Sequence, residues 1–267
     1  MALITIAADK GSPGVTTTAV ALAAVWPRRV LLAEADPAGG DLVYRSRAAH
    51  GGVLDPNSGM LSLAATARRG LAAEQLWDHA QPLTGGLDVL VGLGSAEQAA
   101  GLSGLWPMLG QAFATLAESP NGAADVIADC GRIGADSPTM DLFAHSSLLL
   151  LVSRTEPEYI ARVRDRAGAL SAKLHGSQRG AAAALGQPPI GIVLIADPGN
   201  SARIAAQVNE MLVASQISAR VVGTIAYDPA GAEMLSSRRR GRLDKSLLIR
   251  SARQITADVP QRYGVFR

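Results

Sequence analysis

Short, uninterrupted runs of Val, Ile, Leu and Ala recur along the chain and alternate with Ala-rich stretches of helical spacing. The runs lack polar–apolar alternation, so each is expected to be a strand covered on both faces. The predicted strands are Leu3–Ala7, Val30–Ala35, Leu87–Val91, Ala124–Ala128, Leu148–Val152, Ile190–Ile195 and Val221–Ala226. The predicted helices are Thr16–Val25, Leu61–Ala67, Ala73–His79, Ala96–Ala117, Pro157–Leu174, Ser201–Ala214, Ala230–Ser236 and Leu247–Asp258.

This alternation of strands and helices predicts an α/β fold, a mostly parallel sheet of about seven or eight strands with helices on both faces. The sequence has neither an internal repeat nor a long low-complexity segment, so residues 1–267 are interpreted as a single domain. The Gly- and Ala-rich stretch at residues 175–189 is expected to be a surface loop or a frayed helix end.

Composition says more about the compartment in which the protein resides than about its activity. Hydrophobic residues make up 48% of the chain, enough for a full core, and the net charge of +2 neither indicates nor excludes nucleic-acid binding. The single cysteine, Cys130, excludes an internal disulfide, which is typical of a reducing compartment. The first residues do not resemble a signal peptide, and no apolar run reaches the ~20 residues that span a bilayer. A cytoplasmic protein is therefore predicted.

The candidate functional residues lie in the loops after three predicted strands, because ligands bind at the carboxyl ends of parallel strands. The first loop, in DKGSPGVTTTAV, is Gly-rich and opens a helix, which suits a phosphate. Thr16 or Thr17 would supply a hydroxyl for Mg²⁺, and Asp36 and Asp129 follow two other strands. The strict phosphate-loop pattern fails, since Asp9 replaces its first glycine and Val15 its lysine. A plain strand–turn–helix connection is the alternative.

In combination, the three loops resemble the MinD/ParA family of deviant Walker ATPases. The family loop reads roughly K-G-G-x-G-K-[ST]-[ST], and KGSPGVTT, residues 10–17, aligns with it without a gap. The resemblance implies that Lys10 is the signature lysine, which reaches the partner's site in a homodimer. It implies catalytic roles for Lys10, Asp36 and Asp129, and Mg²⁺ bound by Thr16, Asp36 and Asp129. The implied cofactor is ATP or ADP with Mg²⁺.

The resemblance also implies a set of nucleotide contacts. The segment GTIAYDPAG is similar to a family segment near the adenine. The implied contacts are Gly11, Ser12, Pro13, Gly14, Val15, Thr16, Thr17, Asp228 and Pro229.

The loop also departs from the family pattern. Val15 removes the lysine that contacts the β- and γ-phosphates, and Pro13 removes one backbone N–H. Because catalysis of this kind depends on positioning and charge neutralisation, nucleotide binding or hydrolysis should be weakened. Lys10 and Arg132 are the candidates for partial compensation.

The implied function is a nucleotide-dependent dimeric switch with weak or absent hydrolysis that positions or partitions a cargo. The cargo would be DNA or a complex at a cell pole, septum or secretion apparatus. The alternative is a non-hydrolysing scaffold similar to the TadZ/CpaE type, which also carries degraded loops. A metabolic, amide-forming relative is less favoured, because such enzymes usually keep the phosphate lysine.

A basic cluster near the end of the chain bears on the choice of partner. It is either a solvated surface or a nonspecific contact with DNA phosphates, as in similar ParA proteins. Membrane association is less favoured, because the tail PQRYGVFR is too short to fold alone. The cluster consists of Arg238, Arg239, Arg240 and Arg242.

Overall fold

A computed structural model describes residues 3–11, 13–102, 104–175 and 188–263. Its strands are β1 (Leu3–Ala8), β2 (Val30–Glu34), β3 (Gln81–Pro82), β4 (Asp88–Leu90), β5 (Asp125–Arg132), β6 (Leu148–Arg154), β7 (Ile190–Ala196) and β8 (Ala219–Ala226). They form one eight-stranded sheet in the order β3-β4-β2-β5-β1-β6-β7-β8. Neighbouring strands are parallel except for the antiparallel pair β3 and β4. The predicted α/β fold with a mostly parallel sheet is confirmed.

Helices cover both faces of this sheet, as predicted. The helices are α1 (Val15–Ala24), α2 (Leu42–Arg45), α3 (Met60–Ala67), α4 (Ala96–Ala100), α5 (Trp106–Thr115), α6 (Met140–Ala144), α7 (Pro157–His175), α8 (Ser201–Ala214), α9 (Pro229–Leu235) and α10 (Leu247–Tyr263). Side chains of α1 and α10 pack in one apolar layer, and those of α3, α5, α7 and α8 pack in the other. Alternate residues of each strand point into opposite layers, which explains the continuous apolar runs.

Every predicted strand is present, with ends that differ by up to four residues. Strand β3 was not predicted, because it has only two residues and one of them, Pro82, cannot donate a ladder hydrogen bond. The prediction that Asp129 follows its strand is wrong, since β5 continues to Arg132. Asp129 is therefore held by the sheet rather than by a loop.

Several helix predictions need correction. The single helix predicted over Ala96–Ala117 is wrong: α4 ends at Ala100, and α5 starts at Trp106 with a proline in its first turn. Pro and Gly readily punctuate helices, and Gly101 follows α4 directly. The segment Ala73–His79 is a 3₁₀ helix.

The helix predicted to end at Asp258 continues to Tyr263, so the tail is not wholly outside it. Packing explains the extension, because Val259 is buried and Tyr263 contacts the same apolar layer. Helices α2 and α6, of four and five residues, were not predicted. The loop expected at residues 175–189 lies largely outside the described residues.

The strand order places the candidate loops side by side. Strand β1 lies at the centre between β5 and β6, and β2 pairs with the other edge of β5. The carboxyl ends of β1, β5 and β2 are therefore adjacent, and the residues that follow them share one end of the sheet.

Candidate functional site

The loop between β1 and α1 has the backbone geometry of an anion-binding turn. Gly11 and Gly14 have φ values of +72° and +103°, in the left-handed region that glycine adopts without strain. The N–H of Thr18 donates to the carbonyl of Gly14 at 2.8 Å, so α1 begins immediately after Gly14. Gly14 has no side chain to cap the helix, which leaves the first-turn N–H groups directed at the loop. Ser12 lies outside the described residues.

Val15, at the position of the phosphate lysine, is part of the core. It is the first residue of α1, and its side chain is 8% exposed within the layer that α1 and α10 share. The loop thus keeps its glycines, but the position expected to carry a cation supplies apolar packing instead.

Asp129 is one of two almost completely buried acids in the site, together with Glu34. Its Oδ1 accepts the Gly131 N–H at 3.0 Å, whereas its Oδ2 is buried and has no hydrogen-bond partner among the described residues. Burial raises the pKa of Asp129 to about 7, and the nearby charges of Glu34 and Asp36 act in the same direction. The Thr16 hydroxyl and the Gly131 N–H oppose this shift in the pKa. The structure therefore brings Thr16, Asp36 and Asp129 together, as the sequence predicted.

Asp36 begins the loop after β2. Its Oδ1 accepts the N–H of Ala38 at 2.8 Å, which fixes a tight turn in that loop. Burial raises the pKa of Asp36; the charge of Asp41 reinforces this shift, and that of Arg132 opposes it. Asp36 lies close enough to Asp129 for its charge to raise the pKa of Asp129.

Glu34, which the sequence analysis missed, organises the loop that carries Asp36. The side chain is buried, and its Oε1 accepts the N–H groups of Asp41 and Leu42 at 2.8 and 3.0 Å. Its Oε2 accepts the N–H of Gly92 at 2.8 Å. Burial raises the pKa of Glu34, and these backbone hydrogen bonds oppose the shift. The available signal was an acid at the end of an otherwise apolar strand, two residues before Asp36.

A cavity of about 180 Å³ adjoins the glycine loop on the side of β6, β7 and β8. The predicted contacts Pro13, Gly14, Thr17, Asp228 and Pro229 all line it. Asp228, however, already accepts the N–H groups of Gly231 and Leu248, at 2.9 and 3.2 Å, and so joins α9 to α10. The lining residues are Pro13, Gly14, Thr17, Thr18, Arg154, Ile195, Ile225, Ala226, Tyr227, Asp228, Pro229, Ala232 and Leu248.

Thr17 is also contacted from the opposite side of the loop. Arg45 of α2 donates to the Thr17 hydroxyl at 3.2 Å and pairs with Asp41 at 3.6 Å. Helix α2 is thereby attached to the first turn of α1.

Lys10 lies on a different surface from this cavity. Its exposed side chain lines an open cleft together with Arg132 and Arg162. The start of the loop is held beside this cleft by an ion pair of 2.5 Å between Asp9 and Arg166 of α7. Lys10 is therefore placed at the surface, away from the lining of the cavity next to Gly14.

The basic cluster, residues 238–242, lies apart from the carboxylates, after α9. Its arginines are exposed, and two of them pair at 3.7 Å with neighbouring acids, Arg239 with Glu233 and Arg242 with Asp244. Its contact with DNA stays a prediction.

Two features are absent from the described residues. These residues contain no group of three or more His, Cys, Asp or Glu side chains arranged to hold a metal ion. No helix within these residues has both the length and the apolar character needed to cross a membrane.

A central β1, a glycine loop that opens α1, and two carboxylates at adjacent strands define a P-loop type of α/β fold. Over 98% of the chain, the structure is similar to the septum site-determining protein MinD from Pyrococcus horikoshii OT3, solved with Mg-ADP (TM-score 0.65, 16% identity, 97% of that chain).

Two further solved structures match over most of the chain. One is a ParA family ATPase from Chlorobium tepidum TLS (TM-score 0.66, 17% identity, 96% of this chain and 98% of that chain). The other is a variant of McdA from Cyanothece in complex with ATP (TM-score 0.65, 17% identity, 100% of this chain and 98% of that chain). The chain therefore has the fold of the MinD and ParA ATPases, which confirms the resemblance at the level of the fold. No family model and no curated protein matched the chain.

Proposed function

We propose that the protein is a nucleotide-dependent dimeric switch, similar to MinD and ParA, that positions or partitions a cargo. The observation that carries the proposal is the buried Oδ2 of Asp129, which has no hydrogen-bond partner among the described residues. A buried oxygen without a hydrogen-bond partner lowers the stability of the folded protein by about 1–3 kcal/mol, so such an atom is expected to bind a ligand. The likeness in fold to proteins solved with Mg-ADP and with ATP supports this interpretation.

The residues present fit ATP or ADP with Mg²⁺ in most respects. Gly11 and Gly14 let a phosphate approach the backbone, and the N–H groups at the start of α1 favour an anion. The oxygens of Thr16, Asp36 and Asp129 are the hard ligands that Mg²⁺ and its waters prefer. When bound, the nucleotide would supply a γ-phosphate whose presence or loss separates two states of the protein.

Particular residues of the chain would determine how a bound nucleotide is held and whether it is hydrolysed. Asp36 and Asp129 would hold the cation and its waters, and Lys10, exposed on the open cleft, would reach a second subunit. Val15 supplies no positive charge near the phosphates, so we propose that hydrolysis is weak or absent. DNA, bound at residues 238–242, or a protein complex would be the cargo.

The alternative proposal is a non-hydrolysing scaffold. The observation that favours it is the burial of Val15 in the core, which commits this position to packing rather than to phosphate contact. In that case, the fold would be used to localise a partner, and nucleotide would have no role.

Calorimetric titration with ATP, with and without Mg²⁺, separates the two proposals. We expect Mg²⁺-dependent binding that is lost in Asp129→Ala and retained in the matched control Asp244→Ala, which changes an exposed acid. A phosphate-release assay on the same proteins then measures hydrolysis. Absence of binding by the parent protein would contradict the switch and leave the scaffold.

A further inference from the structure

Arg154 ends strand β6 at the level of the glycine loop. Strand β6 pairs with β1, and Leu151 lies opposite Ala7. Arg154 lies three residues beyond this pair, past the end of β1 at Ala8, and it lines one cavity with Pro13 and Gly14 of the loop. Val152 and Val15 belong to the same apolar layer, so the two-residue alternation of a strand directs Arg154 toward the α1 side of the sheet.

The side chain of Arg154 has a hydrogen-bond donor that is not satisfied by the described residues. Its Nε is buried and has no hydrogen-bond partner among the described residues. Its guanidinium carbon lies 5.9 Å from the centre of the Tyr227 ring, and both residues line the cavity beside Pro13 and Gly14. An unpartnered guanidinium N–H next to a glycine loop is a strong donor for an anion.

The charges around this cavity favour an anionic occupant. Its lining contains one cation, Arg154, and one acid, Asp228. The carboxylate of Asp228 already accepts two backbone N–H groups, so it does not call for a cationic ligand. Arg45, the other arginine near the loop, pairs with Asp41 at 3.6 Å. Arg154 has no ion pair in the part of the chain that the structure describes.

We propose that Arg154 binds the phosphates of the nucleotide and supplies the positive charge that is missing at Val15. The inference rests on the proposed function, since it assumes that the protein binds a nucleotide. A planar guanidinium makes paired hydrogen bonds to phosphate oxygens, so an arginine reaching in from β6 takes over a contact that the first turn of α1 lacks. Arg154 is then a phosphate-binding residue that lies outside the glycine loop.

The first test measures ATP affinity in the presence of Mg²⁺ for three variants of the full chain. We expect Arg154→Met, which keeps length but not charge, to weaken binding by about tenfold or more. Arg154→Lys, which keeps the charge but not the paired hydrogen bonds of the guanidinium, should lose clearly less affinity than Arg154→Met. The matched control Arg69→Ala, at an exposed arginine that follows α3, should bind as the parent does.

Any other result contradicts either this inference or the proposed function. Parent-like binding by Arg154→Met overturns the inference alone, and so does a loss in Arg154→Lys as large as in Arg154→Met, because shape rather than charge would then matter. Absence of ATP binding by the parent overturns the proposed function together with this inference. Thermal unfolding of each variant identifies a loss of affinity that comes from misfolding, in which case Arg154→Lys decides.

The second test restores a lysine to the loop. If Arg154 replaces the lysine missing at Val15, the Val15→Lys change should recover at least half of the affinity, on a logarithmic scale, that Arg154→Met loses. The four proteins form a double-mutant cycle, and we expect the two changes to be strongly non-additive. Independent effects of the two changes would contradict the proposal.

Discussion

Gly131 lies directly against the carboxylate of Asp36, so closely that a Cβ at residue 131 would overlap Asp36 Oδ2. Gly131 also has a φ of +59°, in the left-handed region. Two independent constraints therefore demand glycine at the point where β5 meets the loop after β2. This close approach allows Asp36, in the loop after β2, to lie next to the end of β5, which carries Asp129.

The Gly131→Ala change tests this close approach. The added Cβ would displace Asp36 and strain the backbone, so we expect the free energy of unfolding to fall by about 1–3 kcal/mol. Mg²⁺-dependent nucleotide binding should weaken as well. Urea denaturation measures the first effect and calorimetry the second. Gly134→Ala is the matched control, because a Cβ there meets open space; equal effects of the two changes would contradict the assignment.

Asp129 makes the stability of the protein depend on pH. Its pKa is about 7 in the folded protein, whereas the ordinary value is 3.8, so between these values the folded state binds more protons than the unfolded state. The stabilising contribution is complete below the ordinary pKa and is lost as the pH rises through about 7. Relative to Asp129→Asn, the parent should lose about 3 kcal/mol between pH 5 and pH 8, at ~1.4 kcal/mol per unit over about two units.

Urea denaturation of the parent and of Asp129→Asn at several pH values measures this difference. Glu34 and Asp36 also have raised pKa values and remain in the variant, so the difference between the two proteins reports Asp129 together with its coupling to these two acids. Parallel stability curves for the two proteins would show that the carboxyl group titrates normally.

Restoring the loop lysine should strengthen nucleotide binding. In the Arg154→Met protein, we expect Val15→Lys to tighten ATP binding by about 1–3 kcal/mol, the range of charge-assisted hydrogen bonds; in the parent, where Arg154 is present, the gain should be smaller. Because Val15 is buried, the same change should lower the unfolding free energy. Calorimetry and urea denaturation give the two quantities. Val15→Leu, which stays apolar, is the control; unchanged ATP affinity in Val15→Lys would show that the loop is closed or that another cation suffices.

Binding of DNA by the basic cluster can be tested by its dependence on salt. The triple change of Arg238, Arg239 and Arg240 to Ala should weaken binding to all DNA sequences alike. It should also flatten the salt slope by up to ~0.9 for every DNA phosphate that the variant no longer neutralises. Gel shifts at several salt concentrations suffice. Because Arg239 already pairs with Glu233, we expect Arg238 and Arg240 to contribute most. If the parent shows no shift at low salt with nucleotide present, DNA is not the cargo.

The strands were predictable because buried parallel strands leave an unbroken apolar signature. The run at Leu148–Val152 is an example, since both of its faces are covered by helices. Helix ends were harder, because packing rather than local sequence decides them. Tyr263 extends α10 by contacting the core, and nothing near Asp258 indicates that. The two-residue β3 exists only by pairing with β4.

The convergence of Thr16, Asp36 and Asp129 was predictable, since the carboxyl ends of parallel strands share one edge of the sheet and the family resemblance implied a common Mg²⁺ site. The environments of the side chains were not. Arg154 and Glu34 are ordinary charged residues in the sequence, and only their burial and partners distinguish them. Asp228 shows the opposite case: a residue implied by resemblance proves to be occupied as a helix cap.

The hydrogen bonds of Glu34 close residues 35–41 into a ring. The chain leaves the sheet at Glu34 and returns so that Asp41 and Leu42 donate to the same carboxylate, which Gly92 also holds from β4's side. Both ends of this loop are therefore held by the buried carboxylate of Glu34, and displacing that carboxylate would break three hydrogen bonds at once. The middle of this loop, around Pro37 and Gly39, is therefore free of the restraint that Glu34 imposes on its two ends, and a ligand beside Asp36 would displace the middle more readily than the ends.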